Sequence, residues 1–502
     1  MITFADLANG PFDVAIIGGG IIGAGIARDL SLRGVKVALM DKGDFGGGAT
    51  SGSTRLIHGG LRYLQMLDFS LVRMDLRERE ILLRIAPHLV KPLEFRIPFV
   101  NQSAWFRAKM RVGLLLYDAL SYDRSLPGHR FLGNDETLAA EPALTRDGLN
   151  GAGSYFDAQV SMPERLCLEN VLDAARHGAV VRNYCEVLSA EKENGRLQSL
   201  LVRDSDTGGQ TAVRAKLFVN ATGAWFDRVQ SMVSGTSSRR LRTTKGIHLT
   251  CAPMVNKANV LFSPIDGRLF FVIPLLGKTW IGTTDTDYPD DPTGVRAESE
   301  DIEYLLRSVE PFFPSVRALP IYSTNAGVRA LVRQEGSESS VSRLHKIEET
   351  QPGMFSVLGG KITGYRAIAE EASDAVCSRL GVNAPSQTAL VSLPGGGPSR
   401  EPSLYGSREE ELTLLTGPFG RIGAQARLAV RQEFCRHLDD FLLRRTEHAF
   451  AADLGAASAP DALAALAEEL AWTASRRDEE WRRYRAAAER AGVSVTESAP
   501  AP

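Results

Sequence analysis

Cysteine is scarce in this chain, charge of neither sign dominates, and long apolar runs are missing. The five cysteines (Cys167, Cys185, Cys251, Cys377, Cys435) fall without CxxC spacing. They support neither a disulfide framework nor a zinc or other metal site, and read as reduced, mostly buried thiols of a cytosolic protein. Lys and Arg number 58 against 60 Asp and Glu, a net charge of −2. With no basic bias and no nucleic-acid motif, binding to DNA or RNA is not expected. Met1 to Pro11 lack the basic start and apolar run of a signal peptide, and no apolar span reaches the roughly 18 residues of a membrane crossing. No internal repeat is present. What remains is bulk: 502 residues at 44% hydrophobic content can bury a large core in two or three domains.

Glycine sits where a nucleotide turn needs it. An apolar strand, Asp13-Val14-Ala15-Ile16-Ile17, runs into Gly18-Gly19-Gly20-Ile21-Ile22-Gly23, and a second strand, Val35 to Met40, ends in Asp41. This is the layout of a dinucleotide-binding βαβ unit. Gly18 permits the tight turn, Gly20 lets the backbone approach a pyrophosphate, and Gly23 lets the helix (Ile22, Ile26, Leu30) pack on the strand. Asp41 stands where a carboxylate accepts hydrogen bonds from ribose hydroxyls.

From Lys42 to Thr54 the chain is too rich in glycine and hydroxyls to build a packed helix. It reads either as a flexible surface loop or as a wrap around a ligand, with Thr50, Ser51, Ser53 and Thr54 offering donors to a pyrophosphate or flavin edge. Arg55-Leu56-Ile57-His58-Gly59-Gly60-Leu61-Arg62-Tyr63-Leu64 then mixes apolar packing with two arginines, a histidine and a tyrosine, which favours the wrap.

The stretch Thr50 to Leu64 resembles the flavin loop of FAD-dependent glycerol-3-phosphate dehydrogenases of the quinone-linked, respiratory type. Further matches follow in order: Trp105 to Asp118, Val219 to Trp225, Thr244 to His248, Ile281 to Tyr288, Gly327-Val328-Arg329, and Gly359 to Arg366. Together they span about residues 12 to 480. The resemblance implies an α/β fold: a Rossmann-like FAD-binding domain of the DAO/glutathione-reductase type, an antiparallel-sheet substrate domain and a C-terminal helical domain. It also implies oxidation of sn-glycerol 3-phosphate to dihydroxyacetone phosphate by hydride transfer to flavin N5, with electrons passed to quinone. The enzyme would then lie peripherally on the cytoplasmic face of the inner membrane, with a homodimer also open. The alternatives are an FAD-dependent oxidase of an amine, amino acid or other hydroxy compound using oxygen, and a non-catalytic flavin-binding protein.

The oxidoreductase region is expected over 1–388. Its FAD-binding parts would fall at about 1–70, 155–225 and 325–385, with substrate-binding parts at about 71–154 and 226–324. A linker over 389–402, a helical domain over 403–490 and a disordered tail over 491–502 complete the expected layout. Leu217 to Gly223 reads as a buried strand ending in a glycine turn, with Gly223 closing on the adenosine side. Leu269 to Pro274 and Lys278 to Thr283 read as antiparallel strands joined by a Leu-Leu-Gly turn. Charge runs in the C-terminal region are expected to be solvated helix faces.

Holding a phosphorylated alcohol demands cations, and the guanidinium fork suits phosphate best. Arg329 of the GVR motif is the first choice for substrate binding, then Arg55, then Lys361. Gly359-Gly360-Lys361 follows an apolar strand and precedes a helix expected from about Ile362. Gly59, Gly360, Lys361, Ile362 and Thr363 are therefore expected at the flavin, with the helix N-terminus stabilising negative charge on it. Two imidazoles qualify as the base, His248 and His58, the second also placed beside the flavin. Trp105 to Tyr117 combines an aromatic start, three cations and an apolar finish, which suits an interfacial helix or a helix packed on the substrate domain. The chain departs from the family pattern at Gly46-Gly47-Gly48, at Ala330 and at Gly364. Each of these leaves room for a shifted substrate.

Overall fold

The computed structural model describes all residues except 1–2, 62–63, 65–67, 238, 334–340, 343–344, 400–401 and 497–502. Arg62 and Tyr63 of the flavin-loop motif therefore lie outside the described residues. Two sheets organise the oxidoreductase region. The first runs in the order Lys346–Gln351, Met354–Leu358, Gln210–Asn220, Phe12–Ile17, Val37–Met40, Val180–Arg182. Phe12–Ile17 pairs parallel with both of its neighbours, and Met354–Leu358 continues the parallel set. The strands Phe12–Ile17, Val37–Met40 and Met354–Leu358 are apolar because both faces are covered, whereas the edge strand Lys346–Gln351 is polar. Helices Ile21–Leu32, Pro163–Arg176 and Tyr365–Leu380 place Ile26, Leu30, Leu166, Val171, Ile368 and Val376 on this core.

The second sheet runs Val341–Ser342, Ile321–Arg333, Leu241–Cys251, Lys278–Gly282, Leu269–Leu275, Ala258–Phe262, Val90–Val100, Leu149–Val160, Leu56–Ile57. It is antiparallel except where Ala258–Phe262 meets Val90–Val100. The expected hairpin is present, but its turn is the two residues Leu276-Gly277, with φ of 47° and 74° at those positions. Two positive φ values match the twist of the flanking strands. Two boundaries shift as well. Ile321–Arg333 and Leu149–Val160 belong whole to this second sheet, because each ladder runs unbroken past the expected cuts near 325 and 155.

The expected linker is pinned rather than free: Leu393 N–H donates to Ile85 C=O at 2.9 Å, and Gly395 N–H to Glu169 Oε2 at 3.2 Å. Beyond it, helices Gly420–Gln432, Ala459–Leu470 and Ala474–Arg490 enclose a core of their own, including Leu438, Phe441, Leu466, Trp481 and Tyr484. The charged residues here are not all solvated faces. Arg408, Arg445, Asp440 and Glu480 are buried, because each finds an opposite charge within the fold or across the domain boundary. The expected disordered tail is also ordered as far as Thr496, whose carbonyl accepts from Trp481 Nε1 at 3.1 Å while Val493 packs on Leu454 and Ala488.

Among these buried charges, His437 bridges Glu480 (2.8 Å) and Asp206 (3.3 Å). Burial alone would lower its pKa, but the two carboxylates outweigh it and lift the value to about 9. A folded value above the unfolded 6.5 means stabilisation that is complete below pH 6.5 and lost as pH rises through about 9. Urea unfolding across that window is expected to show a loss of up to about 3 kcal/mol in the parent protein and almost none in His437→Gln.

Candidate active site

The parallel strands all discharge their loops at one edge. Gly18 to Gly20 follow Phe12–Ile17, Asp41 to Gly43 follow Val37–Met40, Ala221 to Gly223 follow Gln210–Asn220, and Gly359 to Ile362 follow Met354–Leu358. The carboxyl ends of such strands are where a nucleotide crevice forms. Gly18 turns at φ 102°, and a Cβ there would come within 2.6 Å of the Ala221 carbonyl oxygen. Gly20 caps the helix Ile21–Leu32, and a Cβ on it would meet nothing nearer than Thr50 Oγ1 at 3.6 Å, so its backbone is bare. At Gly23 a Cβ would overlap the Gly18 carbonyl. Asp41 accepts from the N–H groups of Gly19 (2.6 Å) and Gly43 (2.8 Å), and burial pushes its pKa up to about 6. Thr50 Oγ1 accepts from the first helical N–H, that of Ile21, at 3.1 Å. A bare glycine turn, an anion-seeking helix end and an acid at the second strand end are the donor and acceptor set that FAD requires.

The glycine loop then crosses to the second sheet. A Cβ on Gly52 would lie 2.6 Å from Gly327 Cα, so the two backbones touch. Two residues on, Thr54 Oγ1 lies 3.0 Å from His248 Nε2. The antiparallel register sets His248 across from Asn325 and Gly282, Gly246 across from Gly327, and Thr244 across from Arg329. These residues share one sheet face. Glycines make the space: a Cβ on Gly282 would overlap the His248 ring, and one on Gly246 would overlap the Arg329 guanidinium. His248 is fully buried and stacks on Trp280 with ring centroids 5.0 Å apart. Burial first, then the cations Arg329 and Arg55, hold its pKa well below 6.5, so the imidazole is neutral. Its Nδ1, together with Thr244 Oγ1 and Asn325 Oδ1, is enclosed without a protein partner. Three such atoms on one face suit a polar ligand.

Arg329 reaches into the same region, donating to Thr284 C=O (3.1 Å), Thr283 Oγ1 (2.8 Å) and Asp285 Oδ1 (3.2 Å). His58 is half-buried, edge-on to Phe271 at 5.9 Å, and its N–H donates to Thr363 Oγ1 at 3.2 Å. Ser51 and Ser53 line the loop, half-buried, while Gly59 is buried against Tyr117, whose hydroxyl takes its N–H at 3.0 Å. Gly223 turns at φ 56° with open space beside it, and Gly360, at φ 119°, packs on Ile22.

Two of the expected substrate cations are already paired within the fold. Arg55 does not offer its guanidinium to a phosphate: it forms a buried pair with Glu164 (2.7 and 3.0 Å) between the rings of Trp280 and Phe450. Lys361 directs its ammonium to Asp75 (2.7 Å) and to the His58 carbonyl (2.9 Å), tying the flavin loop to the strand-to-helix turn. The helix after that turn starts at Tyr365, three residues later than expected, because Lys361 and Thr363 are held by the His58 segment and Gly364 serves as the cap.

Gly364 and Gly48, two of the departures from the family pattern, also find local reasons. A Cβ at Gly364 would press on Met74 (3.2 Å) and Asp75 (3.4 Å), and one at Gly48 on the Trp225 ring (3.3 Å). Sequence reasoning did not single out Trp280, Asn325 or Thr244. The alternation within Lys278 to Gly282 and within Asn325 to Arg329 was the available signal, but only the register reveals which face they share.

A crevice fit for FAD, joined by a glycine loop to a polar face of an antiparallel sheet, defines a flavin-dependent oxidoreductase. Comparison agrees. The family model described as FAD dependent oxidoreductase matches residues 13–373, and that of the C-terminal domain of alpha-glycerophosphate oxidase matches 398–477. The glycerol-3-phosphate dehydrogenase of Synechocystis sp. is 35% identical over 538 residues, covering 96% of this chain and 97% of that protein. The aerobic glycerol-3-phosphate dehydrogenase of Bacillus subtilis is 38% identical over 75% of this chain and 68% of its own. The crystal structure of the Bacillus halodurans glycerol-3-phosphate dehydrogenase complexed with FAD superposes with a TM-score of 0.79 at 28% identity, covering 97% of this chain and 96% of that one. Glycine oxidase from Geobacillus kaustophilus, at 22% identity and a TM-score of 0.57, shares the fold. The chain belongs to the family of FAD-dependent glycerol-3-phosphate dehydrogenases. Its cofactor is FAD.

Gly23→Ala, whose methyl would drive into the Gly18 carbonyl, is expected to purify folded but without the yellow flavin absorption of the parent. A visible spectrum and the circular dichroism of the same sample check both halves of that expectation.

Proposed function

We propose that this protein oxidises sn-glycerol 3-phosphate to dihydroxyacetone phosphate and delivers the electrons to a membrane quinone. One sheet face carries the reading: a buried, neutral imidazole at His248 and a guanidinium at Arg329, both beside the loop that reaches the flavin crevice. FAD supplies the hydride acceptor. Arg329, steadied by Thr283 and Asp285, binds the phosphate with its planar fork. His248 gives its Nε2–H to Thr54 and keeps the Nδ1 lone pair for the alcohol proton as the carbon loses hydride. The helix Tyr365–Leu380 turns its positive end toward the Gly359 to Gly364 turn, where negative charge is to be stabilised. His58 contributes through its backbone to the placement of that turn.

Membrane contact is assigned to the helix Ala104–Leu120. Its outer face exposes Trp105 (78%), Val112 (65%) and Leu115 (59%), with Lys109 and Arg111 also outward. Apolar side chains flanked by cations suit an anionic headgroup region. Among the described residues no helix is long and apolar enough to cross a membrane. The electrons would leave on the cytoplasmic face of the inner membrane.

Anaerobic stopped-flow mixing of the purified protein with glycerol 3-phosphate tests the substrate. Rapid bleaching of the flavin band is expected, and a protein that stays yellow overturns the reading. His248→Asn is expected to keep its FAD and to bleach at least about a hundredfold more slowly. Because the imidazole is already neutral at pH 6.5, the parent rate should stay level from there toward about pH 8 and fall only on the acid side. Replacing Trp105, Val112 and Leu115 together by serine is expected to abolish co-sedimentation with anionic vesicles while leaving flavin bleaching intact.

A further inference from the structure

The flavin loop opens with a carboxylate that the oxidation itself does not use. Asp44, three residues beyond Asp41, is buried, and it accepts both terminal nitrogens of Arg445 (2.7 and 2.8 Å), Arg444 Nε (2.7 Å) and Asn183 Nδ2 (3.0 Å). Burial opposes its ionisation, but the two guanidiniums outweigh burial and hold its pKa well below the usual carboxylate range. Both arginines come from one π-helical turn of the C-terminal domain, Phe441–Arg445. Arg444 is itself braced by Asp439 (3.0 Å) and Asp440 (2.6 Å), and Asp440 also accepts from the Tyr184 hydroxyl. Arg483, from the helix Ala474–Arg490, completes the brace by holding Asp439 at 2.6 Å.

The other end of Asp44's segment lies on the nucleotide turn. Gly46 N–H donates to Gly19 C=O at 3.0 Å, the Phe45 ring covers Gly19, and Asp41 takes the Gly19 N–H at 2.6 Å. Between Lys42 and Gly48 the chain has no helix or strand and four glycines, so it is held by the buried Phe45 ring, a few backbone hydrogen bonds and the Asp44 carboxylate rather than by regular structure. The domain boundary holds further ionic contacts: Glu433 lies between Arg165 (2.6 Å) and Arg408 (2.8 Å), and Arg436 pairs with Asp204 (3.2 Å) and Asp206 (2.6 Å). Docking of the C-terminal domain therefore does not rest on Asp44 alone, whereas Asp44 is the carboxylate through which this loop is tied to the arginines of that domain.

We propose that the C-terminal helical domain is a cofactor latch, in which Arg444 and Arg445, through Asp44, hold the loop from Lys42 to Gly48 closed on the glycine turn and so retain FAD. Asp44, Arg444 and Arg445 are positioning residues acting through that loop. The latch predicts a specific separation between cofactor retention and fold stability, because breaking a buried pair costs stability wherever it lies.

The test compares Asp44→Asn and Arg445→Gln with Arg408→Gln, which breaks a buried pair of the same chemical kind inside the C-terminal domain, at the Glu433 contact and off the loop. FAD release from desalted holoenzyme is followed by the rise of flavin fluorescence, and thermal unfolding is recorded for each protein. Asp44→Asn and Arg445→Gln are expected to release FAD at least about tenfold faster than the parent, with Arg408→Gln within about twofold of it at a similar loss of stability. Arg445→Lys, which keeps the charge, should recover part of the retention. Release rates that simply follow the loss of stability in all three variants would overturn the latch and leave an ordinary domain contact. Should the first two not accumulate as folded protein, Arg444→Gln, which spares the two-point pair, is read the same way: release faster than Arg408→Gln supports the latch, and release equal or slower overturns it.

Discussion

The backbone of Gly52, in the loop leaving the parallel sheet, lies directly on Gly327 of the antiparallel sheet, so that a Cβ on either would come within 2.6 to 2.8 Å of the other's Cα. Because the two chains meet there without side chains between them, Thr54 arrives at His248, and the loop that begins at the nucleotide turn ends against the polar face of the second sheet. A larger residue at either position would force the sheets apart and separate the flavin crevice from that face. Gly246 and Gly282 extend the same logic within the sheet, giving up their own side chains so that Arg329 and His248 have room. The site is built as much by omitted atoms as by functional groups.

Burial then decides what each ionisable group becomes. A histidine enclosed against Trp280 with two cations nearby stays neutral, and that is the state a proton acceptor needs. Arg55 and Arg329 are the same residue type a few residues from glycines of the same motifs, yet their situations diverge. Arg55 is closed between two rings with both terminal nitrogens on Glu164, whereas Arg329 is more open, held at one side by Thr283, Thr284 and Asp285. Leaving such a buried guanidinium without its carboxylate is costly, which makes Arg55 part of the frame.

The charges of the C-terminal domain are among the most deeply buried in the molecule. They run inward, from Arg483 through Asp439 to Arg444 and on to Asp44, ending one loop away from the glycine turn. A helical appendage with its own apolar core can thereby act on cofactor geometry through charge, while Phe450 and the Ala491 carbonyl fasten it to the second sheet.

Much of the fold was legible from local pattern. The apolar strand, the glycine turn and the terminal acid of the first βαβ unit follow from steric demands that act within some thirty residues, so Gly18, Gly20, Gly23 and Asp41 could be named from the chain alone. Motif order likewise identified the two sheets and the helical end. What the chain could not reveal were relations across long sequence separations. Asn325 meets His248 only through strand register, Asp75 takes the ammonium of Lys361 from 286 residues away, and Asp44 meets Arg445 from 401. Even the solvated look of the C-terminal charges was misleading, since composition reveals charge but not its partner. Residue type and spacing determined which groups were available. Tertiary packing decided which were buried, paired or left facing the site, because the energy of a charge depends on what surrounds it in space and not on its neighbours in the chain.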